Sequence, residues 1–176
     1  MKSQIVLAGV GGQGILFASK IFCELGLRLG LGVIGSETHG MSQRGGSVIA
    51  HIKLGGFLSP MIRDGCADIL YSFEEYETYR NLRFLAKEAA CFVNMDSPEK
   101  FDQSLGEHLR KKRIRLKIYD ANSEALKLGS ILVANIALIG YSVGTGLVPF
   151  SEKEMKEVIK SVSKKKHLPL NLKAFE

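Results

Sequence analysis

The sequence predicts an α/β fold: a single Rossmann-like domain with a mostly parallel sheet, helices on both faces, and an added strand after a second glycine-rich loop. Three observations predict it. Short apolar runs of strand length alternate with longer runs of helical period, the order expected of a sheet covered by crossover helices. A glycine-dense turn at residues 9–14 joins the first strand-like run directly to the first helix. The 19 glycines among 176 residues crowd toward the start of the chain, where they mark turns and not low complexity.

Ile5-Val-Leu-Ala8 is a continuous apolar run, as a strand buried on both faces requires. Residues 15–29 then follow a helical period. Ile15, Ala18, Phe22, Leu25 and Leu29 form one face, and Gly30 and Gly32 end it. Val33-Ile34 reads as a second strand, completing a strand–helix–strand unit whose crossover should be right-handed. Residues 35–46 read as a polar, glycine-containing loop. Residues 47–54 alternate: Val48, Ala50, Ile52 and Leu54 point one way, and Ser47, Ile49, His51 and Lys53 the other. Gly55-Gly56 suggests a hairpin-like reversal.

Residues 68–73 and 90–95 are two further strands, with a helix over 74–87 between them. A helix over 101–112, a strand over 114–119 and a buried helix over 130–143 follow. Ser151-Glu-Lys-Glu154 is a capping box opening an amphipathic helix to about Ser163. The tail from Leu168 is expected to be irregular. No internal repeat or linker interrupts the chain, so residues 1–176 are read as one domain.

Composition narrows the function classes. The net charge of +6 suits nucleic acid, an acidic protein partner, an anionic ligand or simply a lysine-rich surface. The basic residues are scattered except at 110–117 and 164–166, with no nucleic-acid motif around them, so nucleic acid is not expected. The three cysteines, Cys23, Cys66 and Cys91, show no Cys-x-x-Cys pair. They read as buried thiols in a reducing cytoplasm, with no metal site. The longest apolar stretch, residues 131–143, is too short to span a bilayer, and no membrane role is expected.

Two segments can carry chemistry. In Gly9-Val-Gly-Gly-Gln-Gly14, residues Gly9, Gly11, Gly12 and Gly14 satisfy a Gly-x-Gly-x-x-Gly pattern between a strand and a helix. Such a turn lets a phosphate approach unpaired helix-start amides, or lets the helix pack closely on the strand. Both readings stay open for Gly9, Gly11, Gly12, Gln13 and Gly14. Glu37 lies roughly where a ribose-binding acid would sit in a dinucleotide-binding domain. The second segment, Ser36-Glu-Thr-His-Gly-Met-Ser-Gln-Arg-Gly-Gly-Ser47, offers Glu37, His39, Gln43 and Arg44 between Gly40, Gly45 and Gly46. Such a loop can present donors to an anion or to a neighbouring subunit, or can be a surface loop ordered by its own hydrogen bonds.

Together these two segments resemble the beta subunit of indolepyruvate ferredoxin oxidoreductases, within the gamma-domain family of pyruvate and 2-ketoisovalerate ferredoxin oxidoreductases. Asp68-Ile-Leu-Tyr-Ser-Phe-Glu-Glu75, Asn135-Ile-Ala-Leu-Ile-Gly140 and Asn171-Leu-Lys-Ala-Phe175 resemble its later motifs, so the likeness runs nearly full-length. The resemblance implies a small subunit that binds no cofactor alone and completes a large catalytic subunit. That partner would carry thiamine diphosphate, magnesium and [4Fe-4S] clusters. The assembled enzyme would decarboxylate an aryl 2-oxoacid, use coenzyme A as cosubstrate and pass electrons to ferredoxin. Glu37, His39, Gln43 and Arg44 become candidates at the shared site, and the glycines candidates for phosphate or subunit contact.

The remaining polar residues need no chemistry. His51 on a strand and Asn135 in an apolar helix read as structural, and Glu74, Glu75 and Glu77 suit a helix start. Competing classes are a gamma subunit for pyruvate or 2-ketoisovalerate, a free-standing dinucleotide-dependent dehydrogenase, and a non-catalytic nucleotide-binding assembly module. The dehydrogenase leaves residues 38–46 unexplained and has little chain left for a substrate domain.

Overall fold

A computed structural model describes residues 1–40 and 45–176. Its strands are β1 (Ser3–Val10), β2 (Val33–His39), β3 (Ser47–Leu54), β4 (Ala67–Ser72), β5 (Leu85–Asn94) and β6 (Arg115–Tyr119). Its helices are α1 (Ile15–Arg28), α2 (Glu75–Asn81), α3 (Gln103–Lys111), α4 (Ala121–Lys127), α5 (Ala134–Gly144), α6 (Glu152–Val162) and α7 (Leu168–Phe175). Among the described residues the six strands form one sheet in the order β2-β3-β1-β4-β5-β6. Strands β1, β4, β5 and β6 are parallel, and β3 is antiparallel to both β1 and β2. The expected α/β class and the added strand are both present.

The place of that strand corrects the expected connectivity. β1 and β2 do not pair, because β3 lies between them. β2 is also longer than Val33-Ile34: it continues through Gly35, Ser36, Glu37 and Thr38 to His39, each in register with β3. Residues 35–39 are therefore strand and not loop. They look like a loop in sequence because β2 is an edge strand whose last residues are exposed, so nothing demands that they be apolar. Gly55-Gly56 does not close a hairpin. The chain after β3 passes β1 and returns as β4, parallel to it.

Alternating side chains of the central strands feed two cores. Ile5, Leu7, Ile52, Tyr71 and Phe92 face the layer built from α1, α4, α5, α6 and α7; Val6, Ala8, Leu70, Cys91 and Val93 face α3, Phe84 and Phe101. In the first core Phe22, Tyr71 and Phe92 stack at centroid spacings of 5.2 Å. His51 belongs to the second side. Its Nδ1 accepts the Ile62 N–H at 3.3 Å and its ring meets Phe84 edge-on. Burial, then the positive charges of Lys53 and Arg83, hold its pKa below the ordinary imidazole value.

Three further elements differ from expectation. α2 stops at Asn81, whose Nδ2 donates back to Glu77 O at 2.7 Å, and a short turn leads into β5 from Leu85. α4 lies where no helix was expected; Asp120 caps it by accepting the Ser123 N–H at 2.9 Å. The tail is helix α7, with Pro169 in its first turn, where a missing N–H costs nothing. Its Asn171, Ala174 and Phe175 are buried and it packs on α5 so closely that a Cβ at Gly140 would collide with the Phe175 backbone. The capping box opening α6 is formed as expected, and no described helix is long and apolar enough to cross a membrane.

Candidate functional site

From β1 the chain runs through α1 toward β2 on one side of the sheet, whereas from β4 it runs through α2 toward β5 on the other. The crevice between the carboxyl ends of β1 and β4 is thus a topological switch point, where open α/β sheets place ligands. The first glycine segment lies there. A Cβ at Gly9 would come within 2.7 Å of Gln13 Oε1 and of the Ile15 side chain. Gly14 caps α1 in the left-handed region at φ 73°, and a Cβ on it would strike the Asn135 amide. That amide donates to Gly14 O at 3.0 Å, and its own oxygen accepts the Ile136 N–H at 2.8 Å. Asn135 is therefore the satisfied core amide expected of it, and it anchors the turn. Gly9 and Gly14 serve close packing.

Gln13 also turns inward. Its Oε1 accepts the Val10 N–H at 2.9 Å, and its Nε2 donates to Phe73 O at 3.0 Å, tying β1 to the end of β4. Gly12 is the exception in the turn. At φ 106° it would meet no atom within 4 Å if it carried a Cβ, so its backbone is bare toward the outside.

The second glycine segment is bonded to the first. Gly11 N–H donates to Gly46 O at 2.9 Å and Gly45 N–H to Gly11 O at 3.4 Å, extending the β1–β3 ladder beyond Val10 and Ser47. Ser47 Oγ in turn donates to Glu77 Oε2 at 2.7 Å, and Arg80 holds the other oxygen of this 1%-exposed carboxylate at 2.6 Å. Glu77 thus ties α2 to the start of β3. Helix-start electrostatics gave no hint of this role.

His39, exposed at the end of β2, lines a cleft of about 660 Å³ with Gly11, Gly12, Ile15, Leu16 and Phe17. Glu37 lies on the same face of β2, two residues earlier. Its register partner is Ala50, which pairs with Leu7, so Glu37 stands below the carboxyl edge and two strands from β1, about 10 Å away. A ribose-binding acid requires the strand next to β1, so the geometry removes that role from Glu37. Gln43 and Arg44 lie outside the described residues.

On the other side of Gly12 the edge is lined by amides that sequence reasoning missed. Asn94, at the end of β5, donates from Nδ2 to Phe73 O at 3.1 Å and to Asn122 Oδ1 at 2.9 Å. With Gln13 and Asn135 these residues floor a 200 Å³ pocket, rimmed by the exposed Ile131 and Leu132. The available signal was position: an Asn closing the apolar run at residues 89–93. Glu74, Glu75, Asp96 and Asp120 border the adjoining cleft, so the edge grades from apolar at His39 to acidic beyond Asn94.

The thiols do not fit an iron–sulfur cluster. Cys23 packs with the core on the α1 side, and Cys66 and Cys91 with the core on the opposite side of the sheet. Burial pushes the Cys91 thiol up to about 12 and raises that of Cys23, to which the Glu37 charge adds; cluster ligands must be thiolates.

The model of the family described as pyruvate ferredoxin/flavodoxin oxidoreductase matches residues 4–176. The chain belongs to this family. It is 37% identical to the Indolepyruvate oxidoreductase subunit IorB of Archaeoglobus fulgidus, over 100% of this chain and 93% of that one. It is 36% identical to the protein of the same name from Thermococcus kodakarensis, over 98% and 92%. The fold matches the gamma subunit of a keto/oxoacid ferredoxin oxidoreductase from Geobacter sulfurreducens, with TM-score 0.75, 23% identity and coverage of 98% and 94%. A 2-oxoglutarate:ferredoxin oxidoreductase from Magnetococcus marinus gives TM-score 0.75 at 19% identity. There the match takes 99% of this chain but 30% of the longer one, so the same fold recurs inside a larger polypeptide.

Proposed function

We propose that this chain is the small subunit of an indolepyruvate-type 2-oxoacid:ferredoxin oxidoreductase and that it acts only with a large catalytic subunit. The observation that carries this reading is likeness along the whole chain, at 30–37% identity, to four proteins named Indolepyruvate oxidoreductase subunit IorB. In the assembled enzyme an aryl 2-oxoacid anion, the coenzyme A thiol and two oxidised ferredoxins give an acyl-coenzyme A, carbon dioxide, two singly reduced ferredoxins and a proton. Thiamine diphosphate with magnesium supplies the decarboxylation and [4Fe-4S] clusters carry the electrons, both in the large subunit; the separated thiols of this chain support that division. A cytoplasmic location fits ferredoxin as acceptor.

This chain contributes a wall. The bare backbone of Gly12 and the ladder through Gly11, Gly45 and Gly46 let another surface approach closely. His39 sets an imidazole at the rim, and the half-exposed Leu16 an apolar group. Gln43 and Arg44 are assigned to the same contact from their sequence position between Gly40 and Gly45 alone, since they lie outside the described residues. The aryl preference follows from apolar burial: an indole gains about 25 cal/mol per Å² of buried apolar surface, which pyruvate lacks.

Co-expression with the large subunit tests the reading through coenzyme A-dependent viologen reduction. The expected result is reduction by the complex only, with a higher kcat/KM for indolepyruvate than for pyruvate or 2-oxoglutarate. A pyruvate preference would move the chain to the pyruvate branch. A large subunit fully active without this chain would leave only an assembly or nucleotide-binding role.

A further inference from the structure

The strand at the far edge of the sheet, β6, takes no part in the site above. It pairs with β5 alone, and among the described residues no strand lies on its outer side. Around that side runs a groove of about 810 Å³. Leu116 and Ile118 of β6 lie in it, Phe101 and Leu109 form one flank, and Tyr141 and Leu147 form the other. The stretch from Arg110 to Lys117 also holds Lys111, Lys112, Arg113 and Arg115, and no acid. Arg113 is paired with Glu88 at 3.3 Å, and Arg115 Nη2 donates to the Glu88 carbonyl at 3.0 Å. Arg110 and Lys117 line the groove, are exposed, and enter no ion pair among the described residues. The acid in the groove wall, Asp102, is engaged by the Leu105 N–H at 2.9 Å and by Ser104 Oγ at 2.6 Å, capping α3.

We propose that this groove is the docking site for an extended acidic segment of the large subunit, which adds to β6 as a further strand. The inference rests on the subunit reading above and names a contact distinct from the glycine edge. An extended segment is favoured because an edge strand offers main-chain donors and acceptors at the strand repeat, while apolar surface on both flanks receives alternate side chains. An acidic segment is favoured because Arg110 and Lys117 stand exposed in the groove and enter no ion pair among the described residues. Lysines on a lone edge deter pairing in general. Here the deterrence is selective: a second copy of this chain on β6 would set Arg115 and Lys117 against like charges, whereas carboxylates would be attracted. A nucleic acid would find the charge but would leave the strand edge and the apolar flanks unmatched.

The test uses the co-expressed complex and the isolated full chain. Hydrogen exchange of the outward-pointing amides of β6, which alternate along the strand with those bonded to β5, should slow at least tenfold on assembly, as adding a strand demands. A carbodiimide, which joins amines to carboxylates, should link Lys117 or Lys112 to an Asp or Glu of the large subunit. The doubly substituted Arg110→Glu/Lys117→Glu chain changes only exposed side chains and should keep its unfolding midpoint. It should associate about tenfold more weakly at low salt, and the difference should shrink as salt rises. A stable, active complex in which β6 exchanges as fast as in the free chain would overturn the inference and leave the subunit reading standing. So would Lys117 cross-links to a second copy, or protection by nucleic acid alone. If no complex forms at all, both fall.

Discussion

Helix α1 carries glycines at both ends, and the two ends differ in what explains them. At its close, Gly30 at φ 68° follows Leu29; Gly30 N–H donates to Leu27 O at 3.0 Å and Leu31 N–H to Gly26 O at 2.9 Å. That pair of bonds is a complete Schellman closure, and the local chain accounts for the glycine. At its start, Gly14 is accounted for by Asn135, and Gly12 at φ 106° is the third residue of a turn closed by Gln13 N–H to Val10 O at 3.2 Å; what sets Gly12 apart is its place, with open space around it at the carboxyl edge of the sheet. Both glycines are explained by local closures, but the closure at Gly30 lies at the far end of the helix, whereas the one at Gly12 leaves a bare backbone on the carboxyl edge, where another surface can approach closely.

The strongest way to break this contrast is Gly14→Ala. It combines a left-handed φ with a collision against Asn135, and should lower the chain's unfolding free energy by about 3 kcal/mol or more in urea titration. A loss under about 1 kcal/mol would mean that α5 does not hold the turn. Gly140→Ala, against the Phe175 backbone, should lose about 1–3 kcal/mol by the same measurement. Gln13→Ala leaves the Val10 N–H and Phe73 O each without one partner and should lose about 1–2 kcal/mol. The smallest effect is on the opposite face of the sheet. His51 is held neutral by the fold, so the stability it contributes is present above about pH 6.5 and is lost as pH falls through its lowered folded value. His51→Gln should flatten the pH dependence of the melting temperature in that window and leave the region above it unchanged.

The same contrast shows what the sequence made legible. Where one face is buried and the other solvated, as in α1 and α6, periodicity located the element to within a residue or two. It failed at β2, where an edge strand ending in Glu37, Thr38 and His39 has no buried face to impose a pattern. It failed at α7, where eight residues are too few for a period to stand out, although Asn171, Ala174 and Phe175 are spaced for one face. The glycine turn was legible as a motif, but not the division of labour within it. That division depends on Gln13 folding back to Phe73 and on Asn135 reaching Gly14, contacts separated by 60 and 121 residues. The ribose place of a dinucleotide-binding domain was not excluded for Glu37 by sequence for the same reason: the insertion of β3 between β1 and β2 is a pairing, and no local pattern encodes it.

The central claim is that the carboxyl edge around Gly12 is completed by another surface. The direct test is turnover of the co-expressed complex carrying Gly12→Ala beside one carrying Gly30→Ala. Both substitutions place an alanine at positive φ in open space, at opposite ends of a 14-residue helix, and each should lower the isolated chain's stability by about 1–2 kcal/mol. The account predicts that Gly12→Ala lowers indolepyruvate-dependent viologen reduction, or assembly, at least tenfold beyond Gly30→Ala. Equal activity of the two complexes would contradict it.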